Sequence, residues 1–306
     1  MNAATSVPTR PSRRAAWLLA IRPQTLPVSV GPVLVGIAAG WAEGGFRPVA
    51  AAAAVLVALL LQVAANLAND LFDFRSGADT ADRLGPPRAA ALGLLTEREL
   101  VAGTATVVAL AVMGGLVLAA IGGPVILVLG VAAIVSLLAY SGGPWPYGYH
   151  GLGEVFVFIF FGVVAVAGTA YLQTDRWEPL SFATAIPMGC LITAVLVVNN
   201  LRDISTDAAT GKRTLAVRIG ERGTQLEFGI LIAVAYVVPI TLLVGRWLNV
   251  ASLLPLLSAP IAIPLIRTVV AAGEPRRLNL VLRGTARLSL LFAVLFAVRI
   301  GVGGRP

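Results

Sequence analysis

The sequence predicts an all-α polytopic membrane protein of about nine transmembrane helices. Hydrophobic residues make up 58% of the 306 positions and charged residues only 12%, with a mean hydropathy of +0.87. Apolar runs recur along the whole chain, close to the ~20 residues that a helix needs to cross the hydrocarbon core of a bilayer. Two of these runs end in polar side chains at helical spacing. The composition excludes an ordinary soluble protein, and the polar ends indicate a site at the membrane face.

The apolar runs define the individual spans. They lie at about 24–42, 49–72, 99–121, 125–140, 153–172, 181–200, 226–245, 250–270 and 285–302. Residues 17–306 are expected to form a single transmembrane domain, because no polar linker is long enough to separate two domains. Residues 1–16 are polar and contain arginines and prolines, which predicts a disordered cytoplasmic tail. The first apolar run is long and is followed by others, so it is interpreted as a retained helix and not as a signal peptide.

The distribution of basic residues predicts the orientation. The formal net charge is +8, but the basic residues are scattered between spans, which favours membrane anchoring over nucleic-acid binding. With the N-terminus inside the cell, all but five of the 23 basic residues fall on the cytoplasmic side. The exceptions are Arg47, Arg176, Arg246, Arg299 and Arg305. This bias predicts a cytoplasmic N-terminus and cytoplasmic polar loops.

The most informative stretch closes the sixth span. Asn199, Asp203 and Asp207 recur at every fourth position, and each step of four adds roughly 40° on a helix, so their side chains share one face. The chain's one lysine, Lys212, lies five residues after Asp207, and Arg202 lies inside the motif. Ionisable residues at the end of an apolar helix indicate function. The alternative is a set of solvated acids neutralised by the neighbouring basic residues.

A second stretch repeats this pattern and argues against the solvated alternative. Asn66, Asn69, Asp70 and Asp73 close the second span at relative positions 0, 3, 4 and 7, again on one helical face. The predicted orientation places both motifs at the cytoplasmic ends of their spans.

Four carboxylates at one membrane depth would need bound cations to offset their charge. Asp70, Asp73, Asp203 and Asp207 would repel one another if they faced each other unaided. Two Mg²⁺ ions would relieve this repulsion, because Mg²⁺ prefers few protein oxygens and shares its coordination shell with substrate phosphates. Nearby arginine and lysine side chains would neutralise phosphate charge. The pattern therefore predicts a Mg²⁺–diphosphate site beneath an apolar cavity, suited to an amphiphile such as a polyprenyl diphosphate.

The motifs resemble those of the UbiA superfamily of intramembrane aromatic prenyltransferases. That family has two Asp-rich motifs, of the forms NDxxDxxxD and DxxxD. The second is intact here, whereas in the first Gly77 stands where the family has its last Asp, which leaves Asp79 and Asp82 as substitutes or leaves none. Three further stretches narrow the likeness to the branch that acts on 1,4-dihydroxy-2-naphthoate: Arg22-Pro-Gln-Thr-Leu-Pro27, Gly85-Pro-Pro-Arg88 and Gly151-Leu-Gly-Glu154.

The resemblance implies a fold and a reaction. The fold would be nine transmembrane helices around a central cavity, in the inner (plasma) membrane of a bacterial cell. The enzyme would be a Mg²⁺-dependent aromatic polyprenyltransferase with two ions. It would transfer an all-trans polyprenyl group from its diphosphate to 1,4-dihydroxy-2-naphthoate, with loss of CO₂ and diphosphate, giving demethylmenaquinone. The implied partners are these two substrates and the lipid bilayer, with no nucleic acid and no inferable protein partner.

The resemblance also implies roles for individual residues. Mg²⁺ would be held by Asp70, Asp73, Asp203 and Asp207, with Asn69 and Asn199 as ligands or as groups that orient the acids. Lys212 and Arg202 would contact the diphosphate. The remaining substrate-binding candidates are Arg22, Arg88, Asn66, Tyr140 and Glu154. For Arg22 and Arg88 the alternative is a positive anchor at the membrane face, and for Glu154 it is a helix cap.

The sequence is also compatible with other functions. A related enzyme could use 4-hydroxybenzoate or homogentisate as the acceptor. A cation-coupled transporter could use paired Asn and Asp sites on two helices. A lipid-binding scaffold would bind the diphosphate without chemistry. The sole histidine, His150, is expected to be interfacial, and Phe156, Phe158, Phe160 and Phe161 face either a tunnel or lipid.

Overall fold

The computed structural model describes residues 11–77, 84–271 and 273–302, and in these ranges it is helical without a strand. The all-α prediction is confirmed. The α-helices are α1 (Arg13–Ile21), α2 (Pro27–Ala42), α3 (Pro48–Arg75), α4 (Glu97–Ala139), α5 (Gly153–Val157), α6 (Ala165–Thr174), α7 (Pro179–Ala209), α8 (Leu215–Val244), α9 (Ala259–Val270) and α10 (Leu278–Val302). A π-helical segment (Phe158–Val164) joins α5 to α6 into one span, and a 3₁₀ segment (Val250–Ser258) leads into α9.

The number of spans agrees with the prediction of about nine. Among the described residues, seven helical segments are long and apolar enough to cross a bilayer, or eight if α1 and α2, which meet at 44°, count as one span. Helix α4 has 43 residues and would measure roughly 65 Å if straight, about twice the thickness of the hydrocarbon core. It is broken at Gly123, where φ is 74° and ψ is −166°. Counting its two halves separately gives nine.

The two halves of α4 run antiparallel. Gly103, near the start, lies beside the side chain of Leu67 on α3. Ser141, just past the end, donates a hydrogen bond to Asn69 Oδ1 at 3.0 Å. An unbroken helix would separate residues 103 and 141 by ~57 Å, yet both contact neighbouring positions of α3. The chain therefore reverses at Gly123, where the positive φ favours glycine and Pro124 follows.

Helix α7 is the centre of the bundle. In its most apolar window 78% of the residues are buried, against 17–44% in the other single-helix spans. It packs against α2, α6, α8 and α10. A helix that is apolar on all sides is stable only when surrounded by protein or lipid. The second acidic motif therefore lies at the end of the most enclosed helix.

The motif-bearing helices extend beyond their apolar runs. Helix α3 continues to Arg75 and α7 to Ala209, so both motifs remain helical where they leave the predicted spans. Helix α8 begins at Leu215, eleven residues before its predicted span, with a break at Gly220. The extensions carry the polar residues from the membrane into a layer of loops at one end of the bundle.

The N-terminal helix begins before the predicted domain boundary. Helix α1 starts at Arg13, four residues before the expected domain start at 17, and its cap Ser12 accepts a hydrogen bond from the Ala15 amide at 3.3 Å. Ala16 and Ala20 are buried against α3 and the segment around Ala89. Residues 1–10 of the predicted tail lie outside the described residues.

Small residues allow close helix packing. A Cβ added at Gly36 of α2 would lie 2.5 Å from the carbonyl oxygen of Val166 and 2.7 Å from Thr169 Cβ. A Cβ at Gly162 would lie 2.6 Å from the Cα of Gly189 on α7. Close backbone approach at small residues is the common way in which membrane helices pack, because lipid provides no hydrophobic drive between them. These contacts hold α2 against α6 and the π-helical segment against α7.

We expect Gly36→Ala to lower the thermal unfolding midpoint of the detergent-solubilised protein by several degrees. The added methyl group must displace a backbone carbonyl, and such overpacking costs typically 1–3 kcal/mol. Gly229→Ala on α8 is the matched control, because nothing lies within 4 Å of its Cβ position and alanine favours helix. Its midpoint should stay unchanged or rise. Equal midpoints for the two variants would contradict the close α2–α6 packing.

Candidate active site

A cavity of about 440 Å³ lies among α2, α3, α4, α6 and α7. Deep in the bundle its walls are apolar, with Val33, Ala54, Leu118 and Ile126 among them. At the end that carries both motifs its walls are polar. The charged and amide side chains that line the cavity are Arg22, Gln24, Gln62, Asn66, Asn69, Asp73, Arg88, Asn199, Asn200, Arg202, Asp203, Asp207, Lys212, Asn279 and Arg283. This division suits a ligand with an anionic head and a hydrocarbon tail.

The two acidic motifs meet at this polar end. Asp73 on α3 and both Asp203 and Asp207 on α7 line the same cavity. Lys212, in the loop after α7, donates from Nζ to Asp73 Oδ1 at 3.0 Å and so joins the two motifs directly. The structure thus places both motifs at one end of the bundle and around one chamber.

Asp73 is the most heavily engaged acid. Besides Lys212, it accepts hydrogen bonds from Arg88 Nη2 at 2.7 Å and from the hydroxyl of Tyr149 at 2.7 Å. The Lys212 ammonium also lies 4.5 Å from the centre of the Tyr149 ring. Lys212 and Arg88 thus bring two cationic groups to one buried carboxylate at the cavity wall, and such groups favour binding of an anion such as a diphosphate.

Asp70 is not brought to the cavity. Its side chain is fully buried and its Oδ2 accepts a hydrogen bond from the backbone amide of Ala89 at 3.2 Å. At ~100° per residue, Asn66, Asn69 and Asp73 span about 60° of α3, and Asp70 lies about 40° beyond them. Asp70 therefore holds the segment next to Arg88 in place.

Arg202 orients the second motif. Its side chain is entirely buried, and it bonds both oxygens of Asp203, from Nε at 2.8 Å and from Nη2 at 2.5 Å. Nη2 also donates to Asn199 Oδ1 at 2.8 Å, and Nη1 donates to Asn279 Oδ1 at 2.8 Å. Four donor contacts go to protein acceptors, so this guanidinium fixes Asn199 and Asp203 in relation to α10.

Asn66 fixes the break between α1 and α2. Its Nδ2 donates to the carbonyl oxygen of Ile21 at 2.8 Å and to Thr25 Oγ1 at 2.9 Å. At this break Arg22 has a left-handed backbone, with φ of 56°, and it lines the cavity. The break is what places the Arg22 side chain at the polar end.

Aromatic rings line the cavity next to the polar end. Tyr147 packs edge-on against Tyr140 at 5.5 Å and stacks on Phe156 at 4.0 Å, and Phe156 is followed by Phe160 at 6.2 Å. Burial raises the pKa of Tyr147, whose hydroxyl is hydrogen-bonded to Ser136 at 2.8 Å. Phe161 also lines the cavity, whereas Phe158 packs against the core around α7. Such ring faces suit a developing cation.

Two further candidates lie outside the cavity wall. Glu154 is buried and accepts a hydrogen bond from Asn200 Nδ2 at 2.8 Å. His150 stacks on Trp145 at 4.5 Å, and its Nδ1 lies 3.0 Å from the carbonyl oxygen of Pro146. This position fits the interfacial interpretation of His150.

Sequence reasoning missed several residues of the site. Tyr149 contacts Asp73 and Lys212, and Arg283 and Asn200 line the cavity. No spacing rule connects Tyr149 to a residue 76 positions earlier. Asn200 offered a weak signal, because it lies beside Asn199 in a polar pair at the end of an apolar run.

The donor set fits Mg²⁺ held together with a diphosphate. Within the part of the chain that the structure describes, no three His, Cys, Asp or Glu side chains form a ready metal cluster. Asp79 and Asp82 lie outside the described residues. The oxygen donors Asn69, Asp73, Asn199, Asp203 and Asp207 nevertheless line one cavity. Mg²⁺ commonly takes only one or two carboxylates and completes its shell with water and substrate phosphates.

Comparisons with known proteins identify relatives of this chain. The model of the UbiA prenyltransferase family matches residues 29–297. The 1,4-dihydroxy-2-naphthoate octaprenyltransferase of Mycobacterium tuberculosis is 40% identical over 292 residues, covering 94% of this chain and 98% of the relative. The enzyme of the same name from Escherichia coli is 37% identical over 298 residues, covering 94% and 96%.

Solved structures show the same fold. A UbiA homolog from Archaeoglobus fulgidus bound to GPP and Mg²⁺ has a TM-score of 0.64 at 17% identity, covering 94% of this chain and all of that one. The apo structure of a UbiA homolog from Aeropyrum pernix has a TM-score of 0.67 at 17% identity, covering 91% and 98%. The family match and these likenesses confirm the resemblance found in the motifs. The chain belongs to the UbiA prenyltransferase family.

Proposed function

We propose that this protein transfers a polyprenyl group from polyprenyl diphosphate to 1,4-dihydroxy-2-naphthoate, releasing CO₂ and diphosphate. The prenylated quinol formed is the reduced form of demethylmenaquinone. The observation that carries the proposal is the contact of Lys212 with Asp73, which joins both acidic motifs around one cavity with a polar end and an apolar interior. The likeness to naphthoate octaprenyltransferases over nearly the whole chain supports this acceptor.

Some residues of the site hold the diphosphate, and others position the residues that hold it. Asn69 and Asp73 would hold one Mg²⁺ ion, and Asn199, Asp203 and Asp207 a second. Bound Mg²⁺ supplies charge stabilisation to the departing diphosphate. Lys212 and Arg88 bind phosphate oxygens directly, since both lie at the cavity wall beside Asp73. Arg202 and Asp70 act as positioning residues through their buried contacts.

The cavity would support the bond changes on both substrates. As the allylic carbon–oxygen bond breaks, its electron pair leaves with the diphosphate, and the faces of Tyr140, Tyr147 and Phe156 stabilise the allylic cation. A carbon–carbon bond then forms at the ring carbon that carries the carboxylate. Loss of CO₂ returns the electron pair of the broken bond to the ring. Because the carboxylate leaves as CO₂, no base is needed at this carbon.

We further propose that both motifs face the cytoplasm in the inner membrane. The opposite end of the bundle has an ion pair between Arg47 and Asp175, with Arg47 Nη1 2.8 Å from Asp175 Oδ1. The Arg47 guanidinium lowers the pKa of the Asp175 carboxyl. Most basic residues lie at the end that carries the motifs, and this excess supports a cytoplasmic position for that end.

Asp73→Asn and Asp207→Asn should each reduce turnover by about 100-fold or more, the loss typical of removing one electrostatic stabiliser of the transition state. Release of diphosphate by purified protein measures this. Glu221→Gln is the matched control, because Glu221 is an exposed acid on α8 away from the cavity. Full activity in either aspartate variant would argue against the shared site.

Removal of divalent cations should abolish turnover reversibly. EDTA would strip the ions that offset the repulsion between carboxylates and diphosphate, and added Mg²⁺ should restore the rate. The measurement is product formation before and after addition of the metal. Turnover that persists in excess EDTA would exclude the metal-dependent mechanism.

An acceptor panel should single out 1,4-dihydroxy-2-naphthoate. We expect mass spectrometry to detect a product that has gained the prenyl group and lost CO₂ with this acceptor, and no product with 4-hydroxybenzoate or homogentisate. Preference for one of the other acids would reassign the acceptor within the family. Substrate flux across proteoliposomes without any product would favour a transporter instead.

A further inference from the structure

A buried polar pair lies at the cavity wall and is not needed to hold the diphosphate. Glu154 at the start of α5 is 5% exposed, and Asn200 on α7 is 4% exposed. Asn200 Nδ2 donates to Glu154 Oε1 at 2.8 Å. An ionisable residue inside a membrane bundle is costly and indicates function. No carbon atom in the proposed reaction requires a base, so Glu154 is available for a positioning role.

The pair presents one oxygen atom to the cavity. Asn200 lines the cavity, whereas Glu154 does not. One Nδ2 proton of Asn200 is bound to Glu154, whereas Oδ1 accepts no hydrogen bond from any described residue, so the amide keeps an acceptor for a ligand. A glutamate oxygen accepts this bond whether the carboxyl is ionised or neutral. Glu154 therefore fixes the orientation of the Asn200 amide.

A tyrosine hydroxyl lies near the residue that precedes Glu154. Tyr140 lines the cavity, and a Cβ added at Gly153 would lie only 3.5 Å from its hydroxyl oxygen. The Tyr140 hydroxyl makes no hydrogen bond within the described part of the chain. Gly153 directly precedes Glu154, so the hydroxyl lies beside the buried pair. Its ring meanwhile packs against Tyr147 in the aromatic wall.

We propose that Asn200 and Tyr140 bind the hydroxyl groups of the aromatic acceptor and that Glu154 is the positioning residue for Asn200. This inference rests on the proposed function. Asn200 Oδ1 accepts a hydrogen bond from one phenolic hydroxyl, and Tyr140 provides a hydroxyl that can donate or accept. Asn200 is adjacent to Asn199 of the diphosphate-binding motif, so the acceptor ring would be held between the departing diphosphate and the aromatic wall.

The test compares glutamine with leucine at position 154. Glu154→Gln keeps an oxygen that accepts from Asn200, so KM for 1,4-dihydroxy-2-naphthoate should stay within about threefold of the original. Glu154→Leu removes that oxygen and should raise this KM about tenfold, the effect of one lost hydrogen bond. KM for polyprenyl diphosphate should be unchanged in both. Steady-state kinetics on the purified full-length protein in detergent provide both constants.

Two further variants probe the cavity side of the pair. Tyr140→Phe removes only a hydroxyl and Asn200→Leu only the amide, and each should raise the acceptor KM without changing KM for the diphosphate. Thr193→Val is the control, because Thr193 is a buried polar residue of α7 that does not line the cavity. Tyr140→Phe keeps the ring in place and tests the subsite even if Asn200→Leu does not fold.

The outcomes separate the possible failures. If Glu154→Gln loses as much activity as Glu154→Leu, Glu154 is a general base and the positioning role is overturned. If Tyr140→Phe and Asn200→Leu leave the acceptor KM unchanged, the subsite is overturned. If the unaltered protein forms no product from 1,4-dihydroxy-2-naphthoate, the proposed function itself has failed, whatever the variants do.

Discussion

The contact between Asp73 and Lys212 is the constraint on which the site depends. Charged side chains buried at the end of a membrane bundle are tolerated only when they are paired. This pair reaches across 139 positions of sequence and closes the loop after α7 onto the end of α3. Arg88 and Tyr149 complete the set around the same carboxylate. The result is a pocket with two cationic groups at one carboxylate, built from elements that are otherwise far apart in the chain.

The packing of the bundle makes that pocket possible. Helix α7 is enclosed by its neighbours, and glycines such as Gly162 and Gly189 let backbones approach closely along one side of it. The cavity lies between α7 and the hairpin of α4. The apolar runs of the helices form its interior, and the polar motifs that follow these runs form its polar end. The polar end and apolar interior of the cavity thus match the two parts of an amphiphilic substrate.

Much of the architecture could be predicted from the sequence. Hydropathy located the spans and the break between 122 and 124 that turns α4 into a hairpin, but it missed the polar extensions of α7 and α8. Helical spacing put Asn69, Asp73, Asn199, Asp203 and Asp207 on faces that do line one cavity.

Other features depended on tertiary contacts that no local pattern encodes. A rotation of about 40° along α3 separates Asp70 from the cavity, and periodicity cannot resolve so small an angle. Arg202 is held by a hydrogen bond to Asn279, which lies 77 positions later in the chain. Tyr149 contacts Asp73 because the fold brings their two segments together. The start of α1 at Arg13 was hidden by a polar composition that also fits an unfolded tail.

The central claim is that both motifs act together on one metal–diphosphate complex. Electron paramagnetic resonance with Mn²⁺, which binds the same kinds of oxygen ligands as Mg²⁺, tests it most directly. With a non-hydrolysable prenyl thiodiphosphate bound, the unaltered protein should hold Mn²⁺ with hyperfine coupling to phosphorus, and a variant lacking the acid of either motif should lose that signal. Mn²⁺ binding that depends on only one motif, or that shows no phosphorus coupling, would contradict the account.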